Sequence, residues 1–138
     1  VGIETHATFV FGLPGETQET IEETMEFAFE LGTDTAQFSS VIPFPGTELF
    51  EIAKKNNWLV TKDWSMYDGQ NVIVEYPGLK GDEVARAVHR ARKKIFLRVA
   101  TNPRQFLQYS RMIYKYSGFS GLFDTAKEKM RYLLWYRP

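Results

Sequence analysis

The chain has 138 residues, 43% hydrophobic and 25% charged, with no low-complexity tract, which bounds it to one globular domain or a piece of a larger one. It contains no cysteine, so a disulfide framework and a thiolate metal site are both excluded, and no apolar run reaches the length of a transmembrane helix. Net charge is zero, but residues 1–69 hold 12 acidic and 3 basic side chains while residues 70–138 hold 5 and 14, −9 against +9, an asymmetry that points to two modules with different surroundings.

Residues 5–12, THATFVFG, alternate around β-branched and aromatic side chains and read as a strand. Thr5, Ala7, Phe9 and Phe11 face one way; His6, Thr8 and Val10 face the other. Leu13-Pro14-Gly15 turns the chain into a helix expected from about Thr17 to Leu31. Thr17 or Thr20 can cap it, and Thr20 with Glu23 fits a capping box. Glu19, Glu22 and Glu23 suit the positive end of the helix dipole. Ile21, Met25, Ala28 and Leu31 make a stripe at helical spacing, and Gly32 is a stop.

Residues 35–42, TAQFSSVI, read as a second strand, ended by PFPGT at 43–47. Thr47 is placed to cap a short helix to about Asn56. Strand, helix and strand with brief loops form a βαβ unit, whose strands should lie parallel with a right-handed crossover. Both glycine turns then fall at the C-terminal ends of their strands, the edge where parallel α/β folds bind ligands.

Residues 57–78 are irregular and aromatic, with a short strand expected at NVIVEY, 71–76. Trp58 and Trp64 line a substrate entrance or, as such residues more often do, anchor the loop to the core. Pro77-Gly78 closes the segment, and Asp82 can cap a helix to about Ala100. Val84, Val88, Ala91, Ile95 and Val99 form its apolar face; Arg86, Arg90, Arg92, Lys93, Lys94 and Arg98 lie opposite. Two further helices are expected, about 103–116 and 120–135, divided at Ser117-Gly118-Phe119.

The first glycine turn is not a phosphate loop. It lacks the lysine of a Walker motif and the third glycine of a dinucleotide fingerprint. Glu16 and Glu19 would stand beside any bound phosphate, and like charges ~4 Å apart repel by ~4 kcal/mol at an effective dielectric near 20. A neutral or cationic ligand held by backbone groups fits better. The plainer alternative is that Pro-Gly is only a tight turn and the glutamates only helix caps. His6 is read first as a strand-end histidine, bonded locally or exposed, and second as a residue in reach of a substrate or cofactor; His89, within an Arg/Lys-rich helix, is read as solvent-facing.

Residues 9–59, from FVFGLPGET through VIPFPGTELF to NNWL, resemble the last β/α units of radical S-adenosylmethionine enzymes. In that family a strand ending in Gly-(Phe/Leu)-Pro-Gly-Glu-Thr precedes one ending in Pro-x-Pro-Gly-Thr. Both motifs are here, at Gly12–Thr17 and Pro43–Thr47, and YPGLKGDEVARAVHRARKKIFLR at 76–98 is similar to the helical tail of the subgroup that carries a cobalamin-binding domain. The resemblance covers about residues 5–100. It implies an α/β fold: the C-terminal βαβ portion of a partial β/α barrel of six parallel strands, of which this chain holds the fifth and sixth, followed by a helical extension. Three regions follow: 1–57 as the last β/α units, 58–80 as an irregular aromatic linker, and 81–138 as a basic helical extension.

The family's [4Fe–4S] cluster sits on a Cys-x-x-x-Cys-x-x-Cys loop after the first strand, binds S-adenosylmethionine and cleaves it to a 5′-deoxyadenosyl radical. This chain has no cysteine, and its first residue is Val rather than Met. The resemblance therefore implies a fragment of a radical enzyme, inactive as this piece, with cluster ligands and cobalamin belonging to missing parts of the same chain. The substrate implied is a small hydrophobic or lipid-like molecule, modified by methylation among other outcomes. Val10, Gly12, Leu13 and Glu16 should lie along the adenine and ribose of S-adenosylmethionine, and Ile42, Pro43 and Phe44 should present backbone to the adenine. His6, Thr8 and Val10 with Gln37, Ser39 and Val41 are the barrel-facing sets. No catalytic residue and no metal ligand is expected here, because the cofactors supply the radical.

A non-enzymatic reading stands beside this one: a small α/β binding module whose basic aromatic helices, RQFLQYSRMIYKYSGF and KEKMRYLLWYRP, dock to a membrane surface, a partner protein or nucleic acid. Helices packed on the barrel with snorkelled charges are the bland counterpart. Of the docking partners the membrane surface is preferred and nucleic acid disfavoured. No signal peptide is visible, so the expected location is the cytoplasm, including its membrane face. Two strands of an open barrel leave an edge unpaired and apolar surface bare, so marginal stability or self-association is expected of the isolated piece.

Overall fold

A computed structural model describes residues 3–69 and 71–135. Its elements are β1 (His6–Phe11), α1 (Gln18–Glu30), β2 (Thr35–Ser40), α2 (Glu48–Lys55), a 3-10 turn at Trp64–Met66, α3 (Gly81–Thr101) and α4 (Pro103–Trp135). The chain divides into two compact units, residues 1–92 and 93–138. Among the described residues no helix is long and apolar enough to cross a membrane.

In the first unit β1 and β2 form a two-stranded parallel sheet, His6 opposite Thr35 through Phe11 opposite Ser40. One face carries Phe9, Phe11 and Phe38, whose rings lie 5.2 and 5.7 Å apart about Phe38. Phe29 of α1 stacks on Phe38 at 6.3 Å, and Ile21, Met25 and Ala28 of α1 are buried. Burying each phenylalanine contributes up to about 3 kcal/mol, so this aromatic face fixes the register. On the other face His6, Thr8, Val10 and Gln37 are exposed. The two-residue alternation is therefore as expected, except that Thr5 is exposed, its amide and hydroxyl both donating to Asp34 Oδ2 at 2.9 Å.

Helix α1 starts one residue after Thr17, whose hydroxyl accepts from the Thr20 amide while Thr20 Oγ1 accepts from the Thr17 amide. The capping box is thus Thr17 with Thr20, not Thr20 with Glu23, because Pro14-Gly15 ends the turn early enough for Thr17 to take the cap. Leu31 falls at the C-cap and is exposed rather than part of the buried stripe. Thr47 caps α2 by accepting from the Phe50 amide.

A second core joins β2 to the irregular segment. Val41, Ala53, Ile73, Val74 and Tyr76 are buried together, with Ile42, Leu49, Trp58, Leu59, Met66 and Tyr67 packed against them. Residues 71–76 do not form the expected strand. They make two isolated antiparallel bridges, Leu59 with Val74 and Tyr76 with Leu79, the first with bonds from Val60 N to Ile73 O and from Glu75 N to Trp58 O. The partner stretch is too short for more, since Asn57 bends it at φ +56° and Tyr76-Pro77-Gly78-Leu79 turns the chain back on itself. Trp58 meets Tyr76 edge-on at 4.9 Å, which makes it an anchor of this loop.

Helix α3 begins at Gly81, before the expected cap Asp82, whose carboxylate instead pairs with Arg86 one turn on. The Arg86 hydrogen bond holds the Asp82 carboxyl below the usual carboxylate range. Val84, Ala87, Val88 and Ala91 are buried, and His89 is half-buried rather than solvent-facing. In the second unit α4 is interrupted at Gly118, at φ +64° and ψ −163°, the position expected to divide two helices. The end of the last basic stretch, 136–138, lies outside the described residues.

Candidate functional site

Because β1 and β2 run in the same direction, both glycine turns emerge on one rim of the sheet. The turns share one construction. Glu16 N donates to Leu13 O and Thr47 N to Phe44 O, each at 3.1 Å. Proline and then glycine fill the two central positions, with Gly15 and Gly46 both at φ +85°. That is the type II pattern, which glycine alone adopts without strain at the third place. The sequence resemblance thus corresponds to two copies of one turn, each handing its strand to a helix.

Gly12 precedes the first turn at φ +87°, and a Cβ built on it would lie 3.3 Å from Val84 Cγ1 and 3.5 Å from Val41 Cγ1. Helix α3 is therefore seated against the back of the rim. The front of the turn is already charged: the Glu16 carboxylate folds back and accepts from the amides of Gly12 and, at 3.2 Å, Leu13. Convergent backbone amides of this kind are what an anion seeks. Here an internal carboxylate fills the place, which rules against phosphate more directly than the repulsion argument does.

The residues expected to touch a cofactor lie together on this rim. Val10 and Leu13 are exposed, Glu16 and Ile42 half-buried, Phe44 exposed, and Gly12 and Pro43 buried, so that Pro43 offers little but its main chain. Beside them, Gly69 approaches Ile42 so closely that a Cβ there would sit 3.6 Å from Ile42 Cδ1. Phe50, Trp64 and Tyr67 follow as an aromatic row, with ring centroids 6.3 and 4.8 Å apart, and Trp64 remains exposed. Of the barrel-facing sets, Val41 is buried in the second core. His6 sits at the opposite edge, ~16 Å along the strand from Phe11 at ~3.3 Å per residue, and its Nδ1 lies 2.7 Å from Thr35 Oγ1. It takes no part in the rim.

Two further residues stand behind the site: Tyr76 from the aromatic segment, and Arg92, which is half-buried and turned to β2 rather than on the outer basic face of α3 where it was expected. Tyr76 is buried, and its hydroxyl has no hydrogen-bond partner among the described residues. Burial and, secondarily, the nearby Glu16 charge push its pKa up to about 12. Arg92 reaches from α3 to the outer edge of β2, its Nε donating to Phe38 O at 2.8 Å. Ser40 Oγ donates to Asn71 O on the same side at 2.8 Å. One outer main-chain acceptor of β2, Phe38 O, is therefore occupied by a side chain, and among the described residues no strand lies beyond either β1 or β2. Among the described residues, no group of three His, Cys, Asp or Glu side chains is placed to hold a metal.

No family model matches the chain. It is 33% identical over 97 residues, 70% of its length, to an uncharacterized methyltransferase of Pyrococcus horikoshii, of which that stretch makes up 21%. It is 28% identical over 133 residues, 96% of its length and 20% of the relative, to the anaerobic magnesium-protoporphyrin IX monomethyl ester cyclase of Rubrivivax gelatinosus. It is 23% identical over 112 residues, 77% of its length and 25% of the relative, to the bacteriochlorophyllide d C-8(2)-methyltransferase of Chlorobaculum tepidum. The chain spans about a fifth to a quarter of these proteins. Across most of its residues it is thus similar to one portion of larger enzymes, methyltransferases and a cyclase.

Proposed function

We propose that this chain is the closing β/α portion of a radical S-adenosylmethionine enzyme, and that its rim carries the adenosyl part of that cofactor. The observation that carries the reading is the parallel pairing of β1 and β2, which brings the Gly12–Glu16 and Ile42–Thr47 turns to one edge. The donor set suits such a ligand. The turn amides are already bonded to Glu16, so what remains is main-chain carbonyls, a carboxylate able to accept from a ribose hydroxyl, and the apolar surfaces of Val10, Leu13, Ile42 and Phe44 for a purine face. A sulfonium zwitterion carries no phosphate to be repelled by Glu16 and Glu19.

Bound at such a rim, S-adenosylmethionine supplies a 5′-deoxyadenosyl radical when an iron–sulfur cluster reduces it. This chain has no cysteine and so offers no ligand to a [4Fe–4S] cluster. Its own work is to bind, orient and keep water from one side of the cofactor; cluster ligands, and cobalamin if it is used, belong to other parts of the protein. Arg92 occupies Phe38 O on the outer edge of β2, which favours a sheet that continues on the β1 side, as it would for the last two strands of a barrel. Two of the relatives are named for magnesium-protoporphyrin IX monomethyl ester and bacteriochlorophyllide d, which favours a large, planar, hydrophobic substrate and a methylation or cyclisation.

The test uses the complete reading frame that carries this segment, purified without oxygen and reconstituted with iron and sulfide. A Cys-x-x-x-Cys-x-x-Cys motif upstream and reductive release of 5′-deoxyadenosine from S-adenosylmethionine are expected. Leu13→Asp should weaken S-adenosylmethionine binding by about tenfold, since it sets an uncompensated charge beside the purine. A reading frame without the motif, or a reconstituted protein that does not cleave the cofactor, overturns the proposal.

A further inference from the structure

The second unit has a chemistry unlike the first. Residues 93–138 carry ten Lys or Arg and two Asp or Glu. Past the break at Gly118, Phe119, Phe123 and Met130 stand 69%, 68% and 56% exposed. Their spacings of four and seven residues put them on one stripe of the helix at 3.6 residues per turn, and the Phe119 and Phe123 rings lie 5.7 Å apart. On the same wheel Lys127 and Arg131 border one side of that stripe; Asp124 lies just beyond Arg131, and Glu128 falls on the opposite face. Before the break the pattern recurs. Phe106, Leu107 and Tyr114 are exposed, and Arg104, Arg111 and Lys115, seven and four residues apart, form a basic row beside them.

A helix washed only by water does not keep large apolar side chains in an exposed row, and an exposed apolar stripe marks a contact surface. What that surface meets is set by its border. A protein interface core is depleted in lysine, whereas aromatic residues on one face and Lys/Arg beside them are the composition of a helix lying in the headgroup layer of an anionic bilayer. The rings enter the acyl boundary while the long basic side chains extend to the phosphates. No described helix can span a membrane, so the mode is adsorption rather than insertion.

We infer that the exposed face of α4, centred on Phe119, Phe123 and Met130 with Lys127 and Arg131, docks on anionic lipid surfaces. The inference is independent of the rim and of any cofactor.

The whole chain is sedimented with vesicles of equal parts phosphatidylglycerol and phosphatidylcholine, and with phosphatidylcholine alone. Binding to the anionic vesicles at low salt is expected, with a large drop at about 0.5 M salt as screening shortens the reach of the charges. The Lys127→Gln/Arg131→Gln variant should bind about 30-fold more weakly. Phe119→Ser/Phe123→Ser should lose at least about tenfold. Glu128→Gln, on the far face, should bind no more weakly than the parent. All four side chains replaced in the first two variants are exposed, so an unchanged far-UV circular dichroism spectrum is expected throughout. Absence of anionic-vesicle binding at low salt, equal binding to both vesicle types, or full retention by the double serine variant overturns the inference. So does a dimer that buries these residues and leaves vesicles unbound.

Discussion

The Glu16 carboxylate accepts a hydrogen bond from the Gly12 amide four residues earlier, and so the acidic residue that follows the glycine turn is also its internal anion. Replacing it separates the two roles. Glu16→Ala removes two charge-assisted acceptor contacts and should lower stability by about 1.5–3 kcal/mol, and Glu16→Gln by less. The vacated amides should then take an external anion. In urea melts, sulfate should stabilise Glu16→Ala more than it stabilises the parent protein. An equal sulfate effect on both would show that the turn is not an anion nest.

Gly12 and Gly15 have nearly the same positive φ, yet their surroundings differ, and that difference is measurable. Gly15→Ala meets nothing within 4 Å, so it should cost only the left-handed strain of a non-glycine residue, about 1–2 kcal/mol. Gly12→Ala carries the same strain and presses on Val84, adding about 1–3 kcal/mol of overpacking. Trimming the neighbour with Val84→Ala should bring the double variant closer to the sum of strain and cavity than to the sum of the singles. Strict additivity would mean that α3 does not rest on the turn.

Much of this was legible because it is local. Pro-Gly pairs, Thr17 and Thr47 as caps, and the alternation of β1 all act within a few residues, and the parallel pairing follows from a helix of ordinary length between two short strands. The finer structure of the rim was not legible. Whether Thr17 or Thr20 caps α1 depends on where the turn releases the chain. The expected strand at 71–76 reduced to isolated bridges because Asn57 and Pro77-Gly78 shorten both partners. The roles of Tyr76 and Arg92 rest on contacts reaching some 50 to 60 residues along the chain, for which a single sequence carries no periodic mark.

Tyr76 makes the fold sensitive to alkali. Its phenol is buried and held up to about 12, above the ordinary value of 10. A group raised in the folded state contributes stability in full below its unfolded pKa and loses it as pH rises through the folded one. Stability should therefore fall between about pH 10 and 12, where the unfolded chain releases the proton more readily. Tyr76→Phe removes that dependence. Because the hydroxyl has no partner among the described residues, the same change should raise stability at neutral pH by about 1 kcal/mol. A loss at neutral pH would mean that the hydroxyl is bonded after all.

Arg92 occupies an outer carbonyl of β2, and its planar fork lets Nε reach Phe38 O while Nη2 lies 3.5 Å from Gly69 O. Arg92→Met keeps the apolar stem and leaves the carbonyl without its donor, for an expected loss of about 1–3 kcal/mol by urea denaturation. Arg92→Lys should recover little, since an ammonium cannot reproduce the fork. Full recovery by lysine would reduce the residue to a point charge.

The two edges of the sheet can be told apart by proline. The bonds from Thr35 N to Thr5 O and from Val41 N to Phe11 O bracket the ladder, so odd-numbered residues of both strands face each other. The main-chain groups of His6, Thr8 and Val10 then turn toward the open edge. Thr8→Pro should cost this chain about 1 kcal/mol or less, because the amide it deletes bonds nothing in the sheet. Gln37→Pro deletes a ladder donor and should cost about 3 kcal/mol or more. If the sheet continues past β1 in the complete protein, Thr8→Pro becomes as damaging there as Gln37→Pro is here. A substitution tolerated in both settings would mean that β1 is an edge strand in both, which is incompatible with its being the fifth strand of a six-stranded barrel.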